Sequence, residues 1–325
     1  MFHWPLTRAV PFGMTIAAIA ALAGCASQPS YSPQPSYSPA PISAPVVRTY
    51  THQYAVQTVD AQGKPLAGVF VQVDFAAKAT GGASETCVTN ESGSCPPMNY
   101  TVNQDPAITY FEAFSSTAKA KATKDGYYIA TGEGVSNGGS RYGSLTGVRD
   151  IKMRMIAPTD YLADGFASSA ADRDLRERVL RFIDVIRIQS ILVDADVMLK
   201  GIGTSEFKGK KYLRLKVDST TTYNSLKLNK YDMGKRLFDD SVRKVLSPLN
   251  DNISASKAYY GYDIVVYGHT KSFADKDATA EKVEYRFLLP ESAVRHYKDK
   301  DISGQALLDA GVELIDDERV EFKLQ

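Results

Sequence analysis

The chain has 325 residues, a formal charge of +1 and 44% hydrophobic residues. That length supports two domains with cores of their own. So small a charge lacks the electrostatic footprint that nucleic-acid binding needs, and three cysteines are few for a secreted protein.

The first charge is Arg8, and an Ala-rich apolar run follows from Thr15 to Ala23, with Pro11 and Gly13 interrupting its approach. A spanning helix needs about 20 apolar residues, so this run suits the hydrophobic core of a signal peptide better than an anchor helix. No later stretch approaches spanning length. The run ends in Leu22-Ala23-Gly24-Cys25, where small residues meet the needs of a signal peptidase. Taken alone, these residues also fit an ordinary secretory signal cut nearby, with Cys25 incidental.

The order of basic start, apolar middle, small residues and cysteine resembles a bacterial lipoprotein signal peptide with its lipobox. The resemblance implies removal of residues 1–24 and lipidation of Cys25 with two or three acyl chains of the palmitate type. Each buried methylene contributes about 0.8 kcal/mol, and two chains suffice for stable anchoring. Ala26 and Ser27 follow the cysteine; by enterobacterial sorting rules the lack of Asp beside it implies the outer membrane, with the body in the periplasm or at the cell surface. Loss of Arg8 with the signal leaves the mature chain neutral.

From Ala26 to Pro45 the chain is mostly Pro, Ser, Ala and Tyr, without charge, and Gln-Pro-Ser-Tyr-Ser-Pro occurs in tandem from Gln28 and from Gln34. Such a segment is expected to be extended polyproline II at about 3.1 Å per residue, reaching about 60 Å. Residues 25–46 thus read as a lipidated tether and spacer; a proline-motif ligand is the alternative.

Between 47 and 157 the periodicity is two. Val69, Val71, Val73 and Phe75 alternate with Phe70, Gln72 and Asp74, as in a half-buried strand. Further strands are expected near Tyr54–Val59, Ile108–Phe114, Lys119–Thr123, Tyr127–Thr131 and Arg149–Ile156, with a glycine-rich loop over Gly132–Gly147. Short strands with frequent breakers indicate an all-β sandwich. Asp60-Ala-Gln-Gly-Lys-Pro-Leu-Ala-Gly-Val69, Thr89-Asn-Glu-Ser-Gly93 and Lys124-Asp-Gly-Tyr127 resemble the landmarks of carboxypeptidase regulatory-like and bacterial Ig-like domains. That resemblance implies an Ig-like sandwich of about 100 residues that is structural or binding rather than catalytic. Cys87 and Cys95 flank the turn Thr89–Ser94, so a hairpin bringing them face to face predicts a disulfide in an oxidising periplasm. Closing so short a loop contributes about 2.5 kcal/mol on the chain-entropy account.

Past Pro158 the pattern changes, and residues 158–325 read as an α+β domain with helices on a mixed sheet. Leu175, Val179, Phe182, Ile183 and Ile186 recur at helical spacing over Ala170–Ile188. A hairpin is expected over Asp194–Gly201 and Lys211–Ser219. Gly234, Leu237, Phe238, Ser241, Val242 and Val245 line a second helix. Tyr259–Tyr267 is apolar on both faces, as a central buried strand would be. Val283, Tyr285, Phe287 and Leu289 alternate with charges in another strand. Two short helices follow at Glu291 and Ser303–Ala310, the second ended by Gly311, and a final strand runs over Glu313–Leu324.

Chemistry-bearing motifs are scarce. His52, His269 and His296 are isolated, without metal-ligand spacing. Ser-x-x-Lys recurs at Ser116, Ser205 and Ser241 without its companion penicillin-binding motifs. Asp299-Lys-Asp-Ile-Ser-Gly304 opens like a calcium loop, yet Ala310 occupies the position of the obligatory bidentate Glu, so Ser303 reads as a helix cap. No metal, cofactor or catalytic residue is assigned. The favoured function is a membrane-anchored, non-enzymatic binding, scaffold or assembly module with an envelope protein or cell-wall partner. Tyr259, Tyr260 and Tyr262 are its candidate contact residues. The alternative is an envelope hydrolase acting on glycan or peptide through residues 158–325, whose many carboxylates leave a glycosidase pair open.

Overall fold

Strict alternation of small and long side chains on Ser115–Thr123 shows how the first half is built. Ala118, Ala120 and Ala122 are buried while Lys119 and Lys121 are exposed. The computed structural model describes residues 48–77, 80–104, 115–137, 148–168, 172–188, 191–192, 194–253 and 258–324. Cys25, the proline-rich tether and the strand expected at Ile108–Phe114 lie outside them. Among the described residues, 47% are strand and 25% helix, a β-rich mixed fold.

Strands β1 (Arg48–Val59), β2 (Phe70–Ala77), β3 (Thr80–Val88), β4 (Met98–Gln104), β5 (Ser115–Thr123), β6 (Ala130–Asn137) and β7 (Val148–Arg154) form two sheets, ordered β4-β1-β7 and β3-β2-β5-β6. All neighbours are antiparallel except β1 and β7. Both sheets contribute to one core, in which Phe75 lies 5.5 Å from the Tyr54 ring and stacks 5.3 Å from Tyr100. The alanines of β5 leave room for these rings. Turn chemistry closes the strands: Asp60 Oδ1 accepts from the N–H groups of Gln62 and Lys64 at 2.9 Å, and Asn90 Oδ1 accepts from those of Ser92 and Ser94 at 3.0 Å. Gly93 is obligatory there, since φ is +71° and a Cβ would stand 2.4 Å from the Thr58 carbonyl.

Three expectations change in this half. The glycine-rich stretch from Gly132 to Asn137 is strand β6, because a Cβ at Gly132 or Gly134 would press to 2.8 or 3.0 Å from Ile151 on the facing sheet. Glycine here serves close packing of sheets. The strand expected at Tyr127 starts only at Ala130: the Tyr127 N–H closes a turn on Lys124, and Tyr128 bonds to the Ile156 carbonyl. Cys87 and Cys95 do not flank a hairpin. Cys87 is on β3, whereas Cys95 precedes β4 and donates its N–H to Val56 on β1, so the connection crosses between sheets.

The second half is a six-stranded sheet ordered β13-β12-β11-β10-β9-β8, from β8 (Ala195–Phe207), β9 (Lys210–Asn224), β10 (Gly261–Lys271), β11 (Glu281–Pro290), β12 (Val312–Ile315) and β13 (Glu318–Val320). Only β9 and β10 run parallel. Helix α1 (Arg173–Ile188) and the run α2 (Lys230–Leu237), π turn (Phe238–Val242) and α3 (Arg243–Ile253) bury their apolar stripes on one face. Helices α4 (Glu291–Lys298) and α5 (Gly304–Asp309) complete that layer. Leu213, Leu215, Ile264, Val266, Tyr285 and Phe287 point into it. Their neighbours, by the period of two, point to the opposite face, which no helix among the described residues covers and where Tyr212, Leu288 and Leu314 form a smaller buried cluster.

The expected C-terminal strand is a hairpin, since Asp316 and Asp317 take φ of 49° and 65° between β12 and β13, a conformation Asp tolerates better than most residues. Ser303 caps α5 by accepting from the Ala306 N–H. Gly311 ends it without a left-handed turn; a Cβ there would come 2.9 Å from the Leu288 carbonyl.

Candidate binding groove at the edge of the six-stranded sheet

β10 reads Tyr262-Asp263-Ile264-Val265-Val266, so period two places one acid in the middle of the uncovered face. Asp263 is completely buried, among side chains from β8, β9 and β11. Its Oδ2 accepts from Ser205 Oγ of β8 at 2.6 Å, Arg214 Nε of β9 at 2.8 Å and Arg286 Nη2 of β11 at 3.0 Å. Arg286 continues to Asp317 at 3.2 Å. A buried carboxylate is tolerable only when charge and lone pairs are both met, and this lattice meets them. Farther along the same face, Asp218 holds His269 at 2.9 Å, and Lys282 stands 3.9 Å over the Tyr267 ring. Burial and the neighbouring Glu284 push the Tyr267 hydroxyl up to about 12.

Beside Arg214 the edge strand is irregular. The pairing of β8 with β9 shifts between Val197 and Ile202, and Lys200 adopts φ of 55° inside this bulge. Bulges re-aim side chains, and here Lys200 reaches Asp164 at 2.9 Å. The segment after the 3-10 turn Pro158–Tyr161 lies along this edge, Ala163 donating its N–H to Ile202 at 2.7 Å. Between them opens a cavity of about 450 Å³, within the size range of small-molecule sites. Phe166, Leu175 and Tyr259 supply its apolar lining, and Lys200, Lys211, Arg214 and Lys216 supply cations. Asp164 and Asp172 are its acids. Gly201 and Gly203 are explained by packing, since a Cβ would meet the Met198 carbonyl at 2.6 Å or the Ala163 Cβ at 3.1 Å.

The three tyrosines do not share one surface. Tyr262 is 2% exposed, packed in the helix-covered core, and its hydroxyl has no hydrogen-bond partner among the described residues. Tyr260 is 43% exposed, edge-on to Tyr212 with Lys210 Nζ 3.6 Å from its ring centre. Tyr259 lines the cavity; burial and Asp172 push its hydroxyl up to about 12. Only Tyr262 belongs to β10, the other two preceding it. Cys87 and Cys95 stand at disulfide distance, with Cα atoms 5.9 Å apart. His52 is buried against Ser136 Oγ at 3.1 Å, and His296 lies 3.1 Å from Asp301. Ser116 bonds Tyr54 at 2.6 Å in the first core. Among the described residues no three His, Cys, Asp or Glu side chains converge as metal ligands, and no helix is long and apolar enough to cross a membrane.

Sequence reasoning missed Asp263, Arg214 and the cavity. The available signal was one acid inside an otherwise apolar run, a position that demands a cationic partner on a neighbouring strand.

No protein-family model and no curated protein sequence matches the chain. Among solved structures it is similar to 3-chlorocatechol 1,2-dioxygenase from Rhodococcus opacus, at 14% identity and TM-score 0.24 over 33% of this chain and 59% of that one. A C-terminal fragment of pilus adhesin SpaC from Lactobacillus rhamnosus GG matches at 15% identity and TM-score 0.20, over 34% of this chain and 45% of that one. An alternative pilotin of the type II secretion system of Vibrio cholerae matches at 15% identity and TM-score 0.18, over 34% of this chain and 97% of that one. The chain thus spans 59% of the dioxygenase's length, and likenesses at these scores carry no argument about what it does.

Proposed function

We propose that the protein is an outer-membrane lipoprotein, anchored through Cys25, that acts as a non-enzymatic binding or assembly module in the cell envelope. In this reading residues 25–46 are a spacer, residues 47–157 an Ig-like sandwich of the carboxypeptidase regulatory-like kind, and residues 158–325 an α+β domain that presents the groove to an envelope protein or cell-wall partner. The anchor rests on Leu22–Cys25. The binding role rests on one observation: the charged side chains around Asp263 are bonded to one another, an arrangement that fixes a surface rather than freeing a reactive group, and a cavity opens beside it.

Two variants of the full chain test this reading in intact cells. Cys25→Ala should lose lipid labelling and leave the outer-membrane fraction; a variant that fractionates like wild type overturns the anchor. A photo-crosslinking residue in place of Thr204, which lines the cavity and is exposed, should give a discrete adduct that the same residue at exposed Thr86 of β3 does not. Equal labelling from both positions overturns the groove as the working surface. Release of soluble fragments from peptidoglycan by the purified protein would replace this reading with the hydrolase.

A further inference from the structure

The cations of the cavity differ in how they are neutralised, and that difference names a ligand class. Lys200 is occupied by Asp164 at 2.9 Å. Lys211 and Lys216 have no carboxylate within ion-pair distance among the described residues. Arg214 is bound to Asp263 through Nε alone, so its two terminal Nη groups have no partner among the described residues, and the side chain keeps 28% exposure on the cavity. Asp263 is shared with Arg286, and the acid that offsets the second arginine, Asp317, is 80% exposed. Water screens that outer charge far more than the buried ones, which leaves the cavity side of the network positive. Of the acids on the wall, Asp164 is spent on Lys200, and Asp172 stands at the N-terminal end of α1, where the helix dipole favours negative charge.

We infer that the cavity binds a multiply charged oxyanion, a phosphate or carboxylate group, gripped by the free edge of the Arg214 guanidinium and by the ammonium group of Lys216, which lie two residues apart on one face of β9. A guanidinium held by a carboxylate behind it presents its remaining N–H donors as a fixed fork, the geometry that carboxylate and phosphate accept. Lys216 adds point charge. Phe166 and Tyr259 give the non-charged part of the ligand an apolar wall. The inference rests on the binding reading above and specifies the chemistry of the same groove.

The test is calorimetric titration of the full chain in detergent with inorganic phosphate, with citrate and, as a neutral control, with glucose. Wild type should bind at least one anion, more weakly as sodium chloride is raised, and should not bind glucose. The variant Lys216→Gln should lose at least tenfold in affinity. Lys119→Gln on β5, whose partner is Glu133 at 3.5 Å, should be unchanged. Binding of phosphate alone assigns a phosphate-bearing ligand, and binding of citrate alone a carboxylate-bearing one. No anion binding at millimolar concentration, or equal affinity in Lys216→Gln, overturns the inference. A crosslink from position 204 alongside failed anion binding would leave the binding module standing and remove only its ligand class.

Discussion

The two halves solve the problem of buried polar groups differently. In the sandwich the buried partners are hydroxyls and a carbonyl: Tyr54 with Ser116, and Thr58 with Thr89 and the Leu66 carbonyl. In the six-stranded half the fully buried partner is a carboxylate held between two arginines. Neutral bonds of the first kind contribute about 1 kcal/mol each and fix strand register. A buried charge is different, because it is costly unless its partners stay in place. It is kept where its partners face solvent, and Arg214 does so at the cavity.

Removing one partner on each side sharpens the contrast most. Asp263→Ala takes the shared acid from Arg214 and from the largely buried Arg286, and should cost about 3 kcal/mol. Ser116→Ala, at an equally buried position, should cost about 1 kcal/mol. Urea denaturation of both variants checks this, and equal losses would show that the Asp263 lattice is an ordinary set of bonds.

A second carboxylate of the same half is buried without such help. Glu313 on β12 is 5% exposed, its Oε1 has no hydrogen-bond partner among the described residues, and burial followed by the charge of Asp309 pushes it up from 4.5 to about 7. The folded state therefore holds an extra proton between about pH 4.5 and pH 7. Stability falls as pH rises through that window, and the cost, about 3 kcal/mol at 1.36 kcal/mol per pH unit, is complete above it. Glu313→Gln should thus stabilise the protein by up to about 3 kcal/mol at pH 8 and by almost nothing at pH 4.5. Thermal melts at the two pH values decide; a gain independent of pH would mean that packing, not ionisation, is responsible.

The cysteine pair tests the sandwich in the same way. A bridge between Cys87 and Cys95 would tie the β3 sheet to the β1 sheet, and reduction should cost about 2.5 kcal/mol. Non-reducing peptide maps of the protein isolated from cells should contain both cysteines in one linked fragment. Two alkylatable thiols in the mature protein would sink the bridge.

What could be read from the sequence was whatever depends on near neighbours. The alternation of Val71, Val73 and Phe75, the helical spacing of Val179, Phe182 and Ile186, and the turn chemistry at Asp60 and Asn90 all act within a few residues and all recur in the structure. The failures share one cause. Gly132 and Gly134 are strand residues because Ile151 faces them. β3 and β4 part to different sheets because of pairings with β2 and β1. Asp263 is tolerated because of side chains at 205, 214 and 286. Each depends on a partner that local pattern does not reveal.

The smallest single bond predicted to matter joins the halves themselves. Tyr128, in the turn before β6, packs with the helix-covered core, and its hydroxyl donates to Asp184 of α1. Its ring lies 6.4 Å from Tyr161, edge-on, and Arg187 sits 4.4 Å over it while also donating to the Tyr161 hydroxyl. Burial, then Asp184, raises the Tyr128 hydroxyl well above the ordinary tyrosine range, so it keeps its proton, and the bond, at any physiological pH. Tyr128→Phe removes only the hydrogen bond and should cost about 1 kcal/mol, with the protein still unfolding in one transition. Tyr128→Ala also removes the ring that Arg187 and Tyr161 grip, so the helix-covered core loses a side chain supplied by the turn before β6, and unfolding should separate into two transitions. Calorimetry on both variants reads this directly. One sharp transition in Tyr128→Ala would show that the halves are coupled elsewhere, and that the contrast drawn between them is one of chemistry and not of cooperative units.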